Sequence, residues 1–88
     1  MDRTTELITK VIVPEYKKVI IETNLGFQYH ADLSSMKAVY CFPANETLWK
    51  DVSIDSYGLD LIWSTRFKVH VDQIIGLATQ KIKLQEAS

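Results

Sequence analysis

Apolar and polar residues alternate with a period of two over much of the chain, and that alternation predicts strands. It is clearest across residues 16–32, Y-K-K-V-I-I-E-T-N-L-G-F-Q-Y-H-A-D, where two strand-like runs flank Asn24-Leu25-Gly26. Asn24 and Leu25 suit a type I turn, and Gly26 supplies the positive φ of the bulge that closes it. If Thr23 faces Phe27, Ile21 pairs with Tyr29 and Val19 with Ala31. The other face then pairs Glu22 with Gln28, Ile20 with His30 and Lys18 with Asp32. One register thus yields an apolar face, a mostly polar face and an opposed charge pair, which is how register becomes specified.

Residues 7–13 predict a leading strand, rich in β-branched residues and ended by Pro14. Leu7, Thr9, Val11 and Val13 share one of its faces, and Ile8, Lys10 and Ile12 the other. Pro14-Glu15 turns the chain into the hairpin. After Asp32 the alternation fades: Leu33-Ser34-Ser35-Met36 leaves the sheet, and the apolar run at 38–42 fits neither strand nor helix uniquely. Pro43-Ala44-Asn45-Glu46 has the form of a helix start, with Leu48 and Trp49 supplying the buried side. A second hairpin follows, in which Val52 and Ile54 alternate with polar residues. Ser56-Tyr57-Gly58 turns, and Leu59, Leu61 and Trp63 return. Residues 67–71 are extended, either a further strand or an exit from the sheet.

Asp72 then reads as the N-cap of a last helix from 73 to about 84. Ile74, Ile75, Ala78 and Ile82 share a stripe on that helix. Leu77 and Leu84 lie roughly 60–80° outside it with Lys81 between, a wider apolar face than one core contact uses. Gly76 weakens the helix by ~1 kcal/mol relative to alanine. The whole is an α+β fold, a single domain over 1–88: a small, mostly antiparallel sheet of two hairpins plus a leading strand, a short middle helix and a C-terminal helix.

The totals narrow the function classes. With 88 residues the core is thin. The net charge of −1 argues against a nucleic-acid binder of the ordinary basic kind, and the single cysteine, Cys41, leaves no internal disulfide. Asp2, Arg3, Glu6 and Lys10 interrupt any signal-peptide core, and no apolar run approaches the ~20 residues of a membrane span. A soluble, cytoplasmic protein is the expectation. Asn45-Glu46-Thr47 matches a glycosylation sequon and, without a secretion signal, is read as coincidence.

Gly26, Ala31-Asp32-Leu33, the spacing of Phe42-Pro43 and Leu48-Trp49 before Val52-Ser53-Ile54-Asp55, and the strand from Leu59 to Trp63 together resemble a known pattern. With Asp72 they are similar to a family of small bacterial domains, domain of unknown function twenty-four forty-two, over roughly residues 7–78. Ser64-Thr65-Arg66-Phe67 departs from the family's usual Pro- and Asn-containing turn, and the last helix, expected after Asp72, runs longer. The resemblance implies a domain that occurs alone or ahead of a helix-turn-helix domain. It also implies, in some members, a small neighbouring protein paired with it as in a toxin–antitoxin arrangement. It implies no catalytic residue.

Several residue groups could carry chemistry. His30-Ala31-Asp32 and His70-Val71-Asp72 each place a histidine and a carboxylate on one face of a strand, usable for a metal or an acid–base pair. Against this, Lys18 faces Asp32, Asp72 serves as a cap, and no third ligand sits at a recognised spacing. Glu46, Asp51, Asp55 and Asp60 are an acidic region without calcium-loop spacing, better read as a solvated hairpin edge. Lys17, Lys18, Arg66 and Lys68 near Tyr16, Trp63 and Phe67 could form a basic aromatic surface, although the last two suit a core. Cys41 reads as a small buried hydrophobe.

No catalytic, cofactor-binding or metal residue is assigned. The expectation is a non-catalytic interaction or regulatory domain, antitoxin-like or accessory to a transcription regulator, acting through a protein partner or a second copy. Ile74, Leu77, Lys81 and Leu84 would carry that contact, with Lys83 at its rim. The alternative is a small enzyme or metal-binding protein built on the two His/Asp pairs.

Overall fold

The structure is a computed structural model and describes residues 6–36, 38 and 41–84. Seven strands and two short helices follow in the order β1 (Ile8–Ile12), β2 (Lys18–Thr23), β3 (Phe27–Asp32), α1 (Glu46–Lys50), β4 (Val52–Ile54), β5 (Asp60–Trp63), β6 (Lys68–His70), α2 (Val71–Gly76) and β7 (Ala78–Lys83). The fold is α+β, with two antiparallel sheets ordered β1-β2-β3-β7 and β4-β5-β6. The sequence pattern predicts one sheet. It carries no local signal for a division that depends on which strands meet.

The first hairpin has the predicted register throughout, from Lys18 opposite Asp32 to Glu22 opposite Gln28. Gly26 takes φ +84°, and its N–H bonds the Thr23 carbonyl at 3.1 Å. The predicted charge pair is opposed in register, yet each member has a nearer partner. Lys18 Nζ lies 3.1 Å from Glu15 Oε1, and Asp32 Oδ1 accepts the Ser34 N–H at 2.9 Å. In β1 the strict alternation fails at one point. Ile8 faces Thr23 while Lys10 faces Glu22, so Thr9 is an extra residue, a β-bulge. The bulge puts Ile8 on the same side as Val11, which is why Ile8 is buried rather than exposed with Ile12.

Asn45 caps α1 through its side-chain oxygen, which accepts the Leu48 N–H at 2.9 Å. The helix places Trp49 at the centre of the core, against Trp63 at 4.7 Å and Phe42 at 5.3 Å between ring centroids. Both indoles find acceptors: Trp49 Nε1 donates to the Lys18 carbonyl at 3.0 Å and Trp63 Nε1 to the Trp49 carbonyl at 2.7 Å. These bonds tie β2, α1 and β5 together, as a buried indole N–H requires. Val19, Ile21, Tyr29 and Ala31 from the first sheet join Leu61, Trp63 and Val69 from the second in one core. The second hairpin pairs Val52 with Trp63 and Ile54 with Leu61, and β6 continues that sheet. Of the run at 38–42, residues 39 and 40 lie outside the described residues.

The C-terminal third corrects the sequence reading. There is no helix to residue 84: α2 stops at Gly76, and the chain enters β7, which pairs antiparallel with β3. Nor is Asp72 the N-cap. His70 is, its Nδ1 accepting the Asp72 N–H at 3.1 Å while Gln73 Oε1 accepts the His70 N–H at 3.1 Å. The helical stripe through Ala78 and Ile82 is outweighed by the open edge of β3, whose backbone groups gain a ladder from β7, interrupted once by a register shift between His30 and Ala31. No helix among the described residues is long and apolar enough to cross a membrane.

Candidate functional site

The two His/Asp pairs lie on different elements of the fold. His30 and Asp32 stand on β3 in the four-stranded sheet, whereas His70 and Asp72 lie where the three-stranded sheet runs into α2. His30 Nε2 is 2.8 Å from Gln28 Oε1. The Ser34 N–H holds the Asp32 carboxyl below its ordinary range, with Lys18 and Lys17 adding to the effect. His70 spends its Nδ1 on the helix cap, with Asp72 Oδ2 3.7 Å away. Among the described residues, no three His, Cys, Asp or Glu side chains converge where they could hold a metal ion.

The remaining candidates have structural partners. Asp55 Oδ1 accepts the N–H of Leu59 at 2.8 Å and of Asp60 at 3.2 Å, which shapes the turn into β5. Burial pushes its carboxyl pKa up, and backbone N–H groups of residues 57–60 outweigh that and bring it below the ordinary value. Trp63 and Phe67 are buried, so the basic residues near them have no aromatic platform there. Cys41 is a free, half-buried thiol whose carbonyl accepts the Thr65 hydroxyl at 2.6 Å.

The solvent-facing side of the four-stranded sheet carries a shallow groove of about 430 Å³, lined by Pro14, Glu15, Lys18, Ile20, His30, Asp32, Thr79 and Gln80 among others. Lys18 is held more basic than an ordinary lysine, chiefly by its hydrogen bond to Glu15. The groove's ionisable groups thus have local partners: Glu15 and Lys18 each other, Asp32 the Ser34 backbone, and His30 the Gln28 side chain.

The less expected feature is β7. As the last strand in β1-β2-β3-β7 it pairs, among the described residues, on one side only. The Leu84 N–H bonds the Gly26 carbonyl at 2.8 Å. Counting back by alternation, Ile82 and Gln80 turn their backbone groups to β3, and Lys81 and Lys83 turn theirs outward; beyond Gln80 the register shifts and Thr79 is an extra residue. Cross-strand neighbours share a face, so Lys81 lies with Tyr29 and Lys83 with Phe27. Lys81 Nζ sits 4.2 Å from the Phe27 ring centroid and 5.6 Å from that of Tyr29, a cation–π contact at the rim of the core. Beneath it, the Glu6 carboxylate accepts the hydroxyls of Thr23 and Tyr29.

The contact residues expected from the sequence are therefore redistributed. Ile74 is wholly buried and is core. Leu77 is half-buried at the C-cap of α2, Lys81 is exposed on β7, and Leu84 is half-buried just beyond it. Sequence reasoning missed the edge strand itself. Its signal was present in the break at Gly76 and the alternation of Thr79, Lys81 and Lys83 with Gln80 and Ile82. No family model, curated protein or solved structure matches this chain.

Proposed function

We propose that this protein is a non-catalytic interaction domain that engages a protein partner by adding a strand to its four-stranded sheet at β7. The observation that carries this reading is the six-residue strand Ala78–Lys83, paired on one side among the described residues and exposed along nearly its whole length. Such an edge offers a row of backbone donors and acceptors to another chain, the basis of recognition by strand addition. Glu15, Asp32, Asp55 and His70 are engaged in caps, turns and local pairs, which supports recognition rather than chemistry. A small protein made alongside it, of the kind the family resemblance implies, is the form of partner we favour.

The reading is tested by co-purification from the native host together with sedimentation of the pure chain, followed by hydrogen exchange on whatever complex or oligomer is recovered. Slowed exchange at the outward amides of residues 81 and 83 is expected. Protection confined to other surfaces, or a strict monomer that recovers no partner under any growth condition, overturns it.

A further inference from the structure

Resting on that edge reading, we infer that the strand β7 accepts is acidic: an extended segment with carboxylates at alternate positions and apolar residues between them. A strand laid beside β7 continues both rows of side chains. On one face it meets Lys81 and Lys83, neither of which forms an ion pair with any described residue. On the other it meets Gln80 and Ile82, the latter 36% exposed. Carboxylates two residues apart match the first row, and apolar side chains extend the second.

The same lysines select against the simplest competitor, a second copy. Antiparallel pairing of two β7 strands with their faces matched sets Lys81 directly opposite its counterpart or diagonal to it, an unfavourable like-charge contact. Lysine on an edge strand deters neutral and basic strands from pairing. Here that leaves an acidic strand as the electrostatic complement. Lys81 also arrives with its ammonium already fixed over Phe27, so less side-chain freedom is lost when a carboxylate docks.

The test uses fluorescent synthetic peptides: one alternating valine and glutamate, one alternating valine and lysine, and one with the same valines and glutamates in two blocks. Anisotropy at low ionic strength should show binding of the alternating glutamate peptide alone, with amide shifts on β7, weakening as salt is added. The double variant Lys81→Glu, Lys83→Glu should lose at least about tenfold in affinity and gain the lysine peptide instead. Lys81→Gln, which keeps the outward N–H, should lose less than Lys81→Pro, which removes it. Equal binding of the lysine or block peptide, or no effect of charge reversal, overturns the acidic-strand assignment. If no peptide binds yet the chain self-associates in a manner abolished by Lys81→Pro, the acidic partner is wrong and the edge reading stands. Binding that Lys81→Pro leaves untouched removes both.

Discussion

Tyr29 provides a sharp test of how the first sheet is held together. Its ring is 3% exposed, and its hydroxyl donates to the Glu6 carboxylate, with oxygens at 3.0 and 3.1 Å. Burial, then the hydrogen bond to Glu6 and that group's negative charge, push the phenol up to about 12 from 10.0. The folded chain therefore keeps a proton that the unfolded chain releases from pH 10 upward. The resulting stabilisation is complete below pH 10 and is lost as pH rises toward 12, by up to ~2.7 kcal/mol in all and ~1.4 kcal/mol at pH 11. Tyr29→Phe removes that dependence. At neutral pH it should cost ~1–2 kcal/mol for the lost bond to a carboxylate.

Wild type should therefore exceed Tyr29→Phe in stability by ~1–2 kcal/mol at pH 8 and match it within ~1 kcal/mol near pH 11. Urea denaturation followed by tryptophan fluorescence at both values measures the gap, and the other tyrosines cancel in the difference. Glu6→Gln retains an acceptor but removes the charge, so its alkaline loss should be smaller than wild type's without vanishing, because burial remains. A gap of the same size at pH 8 and pH 11 would refute the coupling. So would a Tyr29→Phe chain more stable than wild type at pH 8.

Gly26 and Gly58 both have positive φ, but only at Gly58 would a Cβ collide, 3.0 Å from the Ile8 carbonyl oxygen and 3.2 Å from Leu7 Cβ. Thermal melting should show Gly26→Ala costing ~1 kcal/mol and Gly58→Ala ~2–3 kcal/mol. Arg66 closes the β5–β6 turn at φ +76°, its N–H bonded to the Trp63 carbonyl at 2.9 Å as Gly26 bonds Thr23. Arg66→Gly should therefore raise stability by ~0.5 kcal/mol, net of the added freedom of the unfolded chain. Trp63→Phe leaves a gap beside Trp49 and strips the Trp49 carbonyl of its donor, an expected loss of ~2–3 kcal/mol in urea titration.

What could be read along the chain follows the range over which each signal acts. The β2–β3 register was legible because a three-residue loop ties both strands and a period-two pattern leaves one pairing that buries Val19, Ile21, Tyr29 and Ala31 together. The start of α1 was legible at residues 43–46 because helix initiation is decided within a few residues, and Asn45 supplies its cap. The bulge at Thr9 was not: a single inserted residue is visible only against its partner strand. The His70 cap was hidden because an imidazole with an open Nδ1 does the work usually assigned to Asp or Ser, and Asp72 two residues on is the more familiar choice. The groove residues Lys18, Ile20, His30 and Asp32 were correctly placed on one face. Their neighbours Thr79 and Gln80 arrive from a strand about fifty residues away.

The change over residues 73–84 is what moves the functional reading. As a helix, residues 73–84 would present Leu77 and Leu84 as an apolar face, and recognition would proceed by burying that face in a groove. As β7, the segment has only Ile82 as an exposed large apolar side chain and offers instead a backbone edge flanked by two lysines. The two architectures demand different partners from the same sequence. A helix face selects an apolar surface and tolerates any charge at its rim. An edge strand draws its affinity from main-chain hydrogen bonds that every sequence can supply, so selectivity has to come from side chains. On β7 those are Lys81 and Lys83 in one row and Ile82 in the other. A recognition role for this edge therefore depends on charge to a degree that the helical reading did not, and reversing two lysines is a more searching test of it than truncating any leucine.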